Sequence, residues 1–130
     1  MAIPSDPLVS TAWLADHLDA PDVRVVDASW HMPAAQRDPG AEFLNGHIPG
    51  AVFFDIDDIS DETSDLPHMI PTAVKFASKV KKLGLGDGSR IVVYDSSGIL
   101  PAARAWWHFR AMGHEDVVVL DGGLPKWLAE

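Results

Sequence analysis

The sequence predicts an α/β domain: a parallel sheet in the middle layer, with helices on both faces. Three observations carry that expectation. Short β-branched runs alternate with segments of helical period, the pattern of strand–helix–strand crossovers. The apolar runs are short and rich in valine and isoleucine, as strands buried on both faces are. A chain of 130 residues that is 47% hydrophobic and 22% charged suits one compact domain that buries roughly two thirds of its unfolded surface.

Each element has its own signal. A helix is predicted from Thr11, capped by Ser10, with Trp13, Leu14 and Leu18 spaced to share one face. Residues 23–30 read as a strand with a polar end. After a loop rich in proline and glycine, residues 41–45 form a short helix and residues 51–55 a second buried strand. Residues 73–83 place Val74, Phe76, Ala77, Val80 and Leu83 at amphipathic spacing, with Lys75, Lys79, Lys81 and Lys82 turned outward and Gly84 as the stop. Arg90–Tyr94 is a third strand, residues 101–112 a third long helix, and Val117–Leu120 a fourth strand.

In parallel sheets, ligands sit beyond the carboxyl ends of the strands. Asp27, Asp55, Asp95 and Asp121 each follow an apolar strand, so they are expected along one rim. Asp27 and Asp121 also suit turns and helix starts, where aspartate is common for structural reasons. Residues 90–104 read as strand, tight loop and helix start, an anion cradle made of backbone N–H groups. A cysteine at its head would have its thiolate stabilised there. The residue in that place is Asp95, and the chain contains no cysteine.

Composition excludes several function classes. The formal net charge of −9 argues against nucleic acid or an anionic membrane as the main partner. The absence of cysteine rules out disulfides and thiolate metal sites. The acidic stretch 55–65 lacks the central glycine and ligand spacing of a calcium loop, and reads as solvated. Histidines at 17, 31, 47, 68, 108 and 114 form no pair at metal-ligand spacing; no metal and no cofactor is expected. His47, in a loop entering a strand, reads as a structural histidine. With no apolar run of about 20 residues and no basic or apolar leader, the cytoplasm is the expected compartment. The last ten residues, Asp121-Gly-Gly-Leu-Pro-Lys-Trp-Leu-Ala-Glu130, read as a turn into a helix that has only begun, so the sequence is expected to be a fragment.

Four blocks carry a resemblance: His47-Ile-Pro-Gly-Ala51; Val92-Val-Tyr-Asp-Ser-Ser-Gly98; Ala103-Arg-Ala-Trp-Trp-His-Phe-Arg-Ala-Met-Gly-His114; and Val119-Leu-Asp-Gly-Gly-Leu-Pro-Lys-Trp127. Together, from Leu8 onward, they resemble the rhodanese family, and within it the N-terminal domain of the two-domain thiosulfate and 3-mercaptopyruvate sulfurtransferases. The resemblance implies a three-layer fold with a central parallel sheet of about five strands, and residues 1–130 as the N-terminal domain. In that family the C-terminal domain carries the cysteine that holds sulfane sulfur as a persulfide and passes it to cyanide or a thiol. Its own C-terminal domain, a small sulfur donor and a thiophilic acceptor are therefore the implied partners. Asp95 stands at the degenerate nucleophile position, where a fixed carboxylate accepting loop N–H bonds is the implied structural role. Catalytic loops of the family end in a basic residue, whereas this one offers Ile99, Leu100 and Pro101, which also speaks against anion binding.

The resemblance further implies that Asp57 and His68 are accessory catalytic residues. They match an Asp and a His that face the partner domain's cysteine loop and complete a serine-centred triad. A carboxylate orients the imidazole, which accepts a proton from the serine hydroxyl. The alternative for both is a solvated acid and a loop histidine. On the helix at 101–112, Trp106, Trp107 and Phe109 cannot share one face at 100° per residue, so one side is expected on the sheet and another on a neighbour. Trp13, Trp30 and Trp127 read as core, and Arg104 and Arg110 as holding the acidic rim or an interdomain contact.

Two other readings are weighed. Asp55-Ile-Asp57 resembles the Asp-x-Asp of magnesium-dependent haloacid dehalogenase-type phosphotransferases, but Ile59 stands where a threonine is required. A non-catalytic rhodanese-like module that binds other proteins differs from the sulfurtransferase half only in lacking a cysteine-bearing repeat.

Overall fold

The computed structural model describes residues 8–20, 22–30, 38–55, 59, 73–85, 90–96, 100–112, 114 and 116–129. The elements in order are β1 (Leu8–Val9), α1 (Thr11–His17), β2 (Val23–Asp27), α2 (Pro39–Asn45), β3 (Val52–Phe53), α3 (Ala73–Lys82), β4 (Arg90–Tyr94), α4 (Leu100–Ala111), β5 (Val117–Leu120) and α5 (Gly123–Ala129). The five strands form one sheet in the order β1-β5-β4-β2-β3, and every pairing is parallel. The α/β class and the parallel sheet are as the sequence pattern predicts, and the five strands are what the resemblance implies.

Alternation along the strands divides the core between the two faces of the sheet. Val26, Ile91, Val93, Val117 and Val119 join Phe76 of α3 and Ala102, Ala105 and Phe109 of α4 in one cluster. Val23, Val25, Val92, Tyr94, Val118 and Leu120 join Leu14 of α1 in the other, with Phe43 of α2 and Leu124 and Trp127 of α5 packed against it. The chain moves in one direction across the sheet through β2 and β3 and in the other through β4 and β5. Right-handed crossovers must then place α1 and α2 on one face and α3 and α4 on the opposite one, as the clusters show.

Local chemistry sets the boundaries. Ser10 caps α1 through its Oγ, which accepts from the Trp13 N–H at 3.0 Å. Asp38 caps α2, taking the Ala41 N–H at 3.1 Å, and Pro39 occupies the first helical turn; the helix thus starts two residues before the predicted 41–45. Gly84 ends α3 at φ 81°, as the sequence predicts, and Leu85 N–H reaches back to the Val80 carbonyl at 3.1 Å. Gly122 has φ 85°, and a Cβ there would come within 2.6 Å of Lys126; the turn between β5 and α5 requires glycine.

Several expectations need correction. β2 ends at Asp27, not residue 30, because the Asp27 carboxylate takes the Ser29 N–H at 2.8 Å and turns the chain. The predicted buried strand 51–55 is only the pair Val52–Phe53, half-buried, whose one strand partner among the described residues is β2. Phe54 is fully buried, but outside the strand. Ala77 of α3 is exposed although its spacing placed it on the apolar face, which costs little for so small a side chain. β1, two residues long, was not predicted, since two residues carry no period. Trp13, Trp30 and Trp127 are partly buried against the core clusters.

Candidate functional site

The chain reverses its direction of winding between β2 and β4, which lie side by side. In an open parallel sheet, the crevice beyond the carboxyl ends of such a pair is where ligands bind. Two carboxylates close it here. Asp27 ends β2 and is 3% exposed, and Asp95 follows β4 and is 0% exposed.

Asp95 is fixed from two sides. Its Oδ2 accepts the Ala102 N–H at 2.9 Å, a donor in the first turn of α4 that no carbonyl of the helix reaches. Its own carbonyl accepts the Leu124 N–H at 2.9 Å. A negative charge at a helix N-terminus is stabilised by the partial positive charge there.

Asp27 belongs to a connected polar network. The Ser29 N–H donates to its Oδ1 at 2.8 Å, and the Ser29 Oγ accepts the Ser96 N–H at 2.9 Å. The Tyr94 hydroxyl donates to the Asp27 carboxylate and accepts the Ile48 N–H at 3.2 Å. Thus the His47-Ile-Pro-Gly motif is tied through a buried phenol to the end of the central strand. Burial raises the Asp27 pKa above 3.8, and the negative Asp95 adds to the rise, while the hydrogen bonds from Ser29 and Tyr94 act in the opposite direction. The Tyr94 hydroxyl is pushed well above its usual range, first by burial and then by the Asp27 charge.

The other two strand-end acids lie on the same rim, after β3 and β5, and Asp55 and Asp121 are both exposed. Asp57 and His68 lie outside the described residues. The structure takes Arg104 and Arg110 away from the rim. Arg104 lies over the Trp107 ring at 5.0 Å and donates from Nε to Nε2 of His108 at 3.0 Å; Arg110 lies over the Trp106 ring at 5.1 Å. His47 is exposed, stacks on Phe43 at 4.1 Å and is bonded through Nδ1 to the Phe43 carbonyl at 2.8 Å, a structural arrangement. Phe109 is 1% exposed and Trp107 45%, so α4 puts one aromatic residue on the sheet side, as expected, and another at the surface.

Two participants escape a reading of the sequence. Tyr94 meets Asp27 only because β2 and β4 pair in that register, with Asp27 opposite Tyr94. His108 is fully buried on an otherwise apolar helix stripe, and its spacing of four from Arg104 was the available signal. The described residues contain no group of three or more His, Asp or Glu that could hold a metal ion, and no helix among them is long and apolar enough to cross a membrane.

Comparison with known proteins fits this arrangement. The rhodanese-like domain family matches residues 10–130. The chain belongs to that family. It is 53% identical over 96% of its length to the mitochondrial thiosulfate/3-mercaptopyruvate sulfurtransferase 1 of Arabidopsis thaliana, of which it covers 33%. It is 48% identical to the 3-mercaptopyruvate sulfurtransferase of Homo sapiens, covering 43% of that protein. The rhodanese-like domain superposes on the crystal structure of SseA from Escherichia coli, a 3-mercaptopyruvate sulfotransferase, with a TM-score of 0.91 and 44% identity, spanning 96% of this chain and 48% of the other. The chain thus spans between a third and a half of these relatives. The fold also occurs as a complete protein: human single-domain TSTD1 matches over 98% of its length, with a TM-score of 0.66 at 17% identity.

Proposed function

We propose that this rhodanese-like domain is the N-terminal, nucleophile-free half of a two-domain sulfurtransferase. The whole protein moves sulfane sulfur from 3-mercaptopyruvate or thiosulfate to a thiophilic acceptor, through a persulfide on a cysteine of its C-terminal domain. Asp95 carries the reading. A carboxylate, neither a sulfur nucleophile nor a stable sulfur carrier, fills the head of the cradle and takes the α4 N–H that a thiolate or bound anion would use. None of the 130 residues is a cysteine, so no persulfide forms on this chain. The relatives named as sulfurtransferases are two to three times longer than the match, which supports a second domain that supplies the thiol.

Asp57 and His68 are the residues we assign to the shared chemistry. His68 accepts a proton from a serine of the partner domain, and Asp57 holds the imidazole in the tautomer this requires. On that assignment 3-mercaptopyruvate is the preferred donor. The human relative bears that substrate in its name.

The test is thiocyanate production from each donor, run on this chain and on the full-length product of its gene. Turnover only in the full-length protein, faster with 3-mercaptopyruvate, is the expected result. Turnover in neither would leave the stand-alone binding module as the reading.

A further inference from the structure

The chain contains a single asparagine, Asn45, and a glycine follows it. Asparagine is among the thermally labile residues, because the backbone nitrogen of the next residue can attack its Cγ. A following glycine, which has no Cβ, leaves that approach open. The fold adds to this local chemistry. Asn45 is the last residue of α2, and both it and Gly46 are exposed. Among the described residues, the Asn45 carboxamide makes no hydrogen bond. Gly46 is extended, with φ −175° and ψ 131°, and a Cβ placed on it would meet nothing within 4 Å. One bond guards the attacking nitrogen: the Gly46 N–H donates to the Glu42 carbonyl at 3.1 Å. That bond is the last of a seven-residue helix with no buried residue, and such a helix end opens at little cost.

We infer that Asn45 is a site of spontaneous covalent modification that loosens the buried tie between Tyr94 and Ile48. The Gly46 nitrogen bonds to Asn45 Cγ, the Cγ–N bond of the carboxamide breaks, and ammonia leaves with the proton that Gly46 gave up. Water, the one co-reactant, then opens the resulting succinimide at either carbonyl. One opening gives aspartate and the other isoaspartate, whose main chain is longer by a methylene. Three residues on, Ile48 is fully buried and its N–H is held by the Tyr94 hydroxyl at 3.2 Å. An added methylene shifts the His47-Ile-Pro-Gly segment against that anchor. The new carboxylate at the C-terminal end of α2 opposes the helix dipole as well. Isoaspartate therefore destabilises the domain more than aspartate does. This inference does not depend on the sulfurtransferase reading.

The experiment is prolonged incubation of the full chain in mildly alkaline buffer, followed by ammonia release, peptide mass spectrometry and labelling with an isoaspartate-specific methyltransferase. Gln36 is the only other side-chain amide, so the signal is simple to assign. Ammonia release matched by a gain of one mass unit and a methyl label on the peptide that holds Asn45 is expected. Gly46→Ala, whose added methyl has open space, should slow release about tenfold or more, because the methyl group hinders the attacking nitrogen. The folded chain should react within about a hundredfold of the rate of the chain unfolded in guanidinium chloride, since only one helical turn has to open. The isoaspartyl product, once isolated, should have a lower urea midpoint than Asn45→Asp, which adds the charge without the methylene. Label elsewhere, a rate insensitive to Gly46→Ala, or stronger protection in the folded chain would overturn the modification site. Equal midpoints for the isoaspartyl product and Asn45→Asp would overturn its link to Tyr94.

Discussion

The carboxyl rim of the sheet presents the same residue in two settings. Asp27 and Asp95 follow β2 and β4, the pair at which the winding reverses, and are buried, whereas Asp55 and Asp121 follow β3 and β5 and are exposed. In sequence all four look alike: an apolar strand, then an aspartate. What separates them is the neighbour across the sheet. At the reversal, Asp27 takes the Ser29 N–H and the Tyr94 hydroxyl of β4 and Asp95 takes an N–H at the start of α4, because a buried carboxylate must find donors. Asp55 and Asp121 are exposed to solvent and need no such enclosure. A shared sequence position therefore gives a rim location, and the place relative to the winding reversal between β2 and β4 decides whether the acid becomes part of the framework.

The comparison breaks most clearly at the centre. Asp27→Ala removes the acceptor for the Ser29 N–H and the Tyr94 hydroxyl, and Asp95→Ala does the same for the Ala102 N–H. Each should lower stability by about 2–3 kcal/mol, the cost of buried donors left without partners, read from urea midpoints. Tyr94→Phe keeps the ring and removes one link, so about 1 kcal/mol is expected. Asp55→Ala and Asp121→Ala should stay within about 0.5 kcal/mol of the parent. If all four aspartates cost the same, burial is not what distinguishes them.

Acidity sharpens the contrast. Burial raises the folded-state pKa of Asp27 above 3.8, so between 3.8 and that raised value the folded protein binds a proton that the unfolded chain has released. Stability from this group is then lost as pH rises through the window. Relative to the parent, Asp27→Asn should gain stability as pH increases from about 4 toward neutrality. Denaturant midpoints of the two proteins across that range check the sign, and a difference that shrinks with pH would contradict it.

The smallest expected effect is on activity. Asp95→Cys places a thiol at the head of the cradle, but Ile99, Leu100 and Pro101 still stand where catalytic loops of the family end in a basic residue. Thiocyanate formation by that variant should remain at background. Robust turnover would mean that the nucleophile alone separates this domain from a catalytic one.

Much of the fold was legible because its signals are local. Ser10 caps α1, Gly84 stops α3, and the valine runs of β4 and β5 have the boundaries their composition predicts. The signal failed where length or pairing governs: β1 and β3 are two residues each, too short for a period, and exist because β5 and β2 offer them a free edge. Of the site, Asp95 could be read from its place between strand and helix, while the Tyr94–Asp27 link could not, since it joins residues far apart in sequence.

By itself, then, the sequence determined the α/β class, the family resemblance, the absence of a nucleophilic thiol and the position of four acids after four strands. These follow from residue type and spacing along the chain. Only the tertiary structure decided that two of those acids are buried and that Tyr94 bridges the motif at Ile48 to Asp27. Each of those depends on which strands and helices become neighbours, and neighbours are chosen by the packing of the whole sheet.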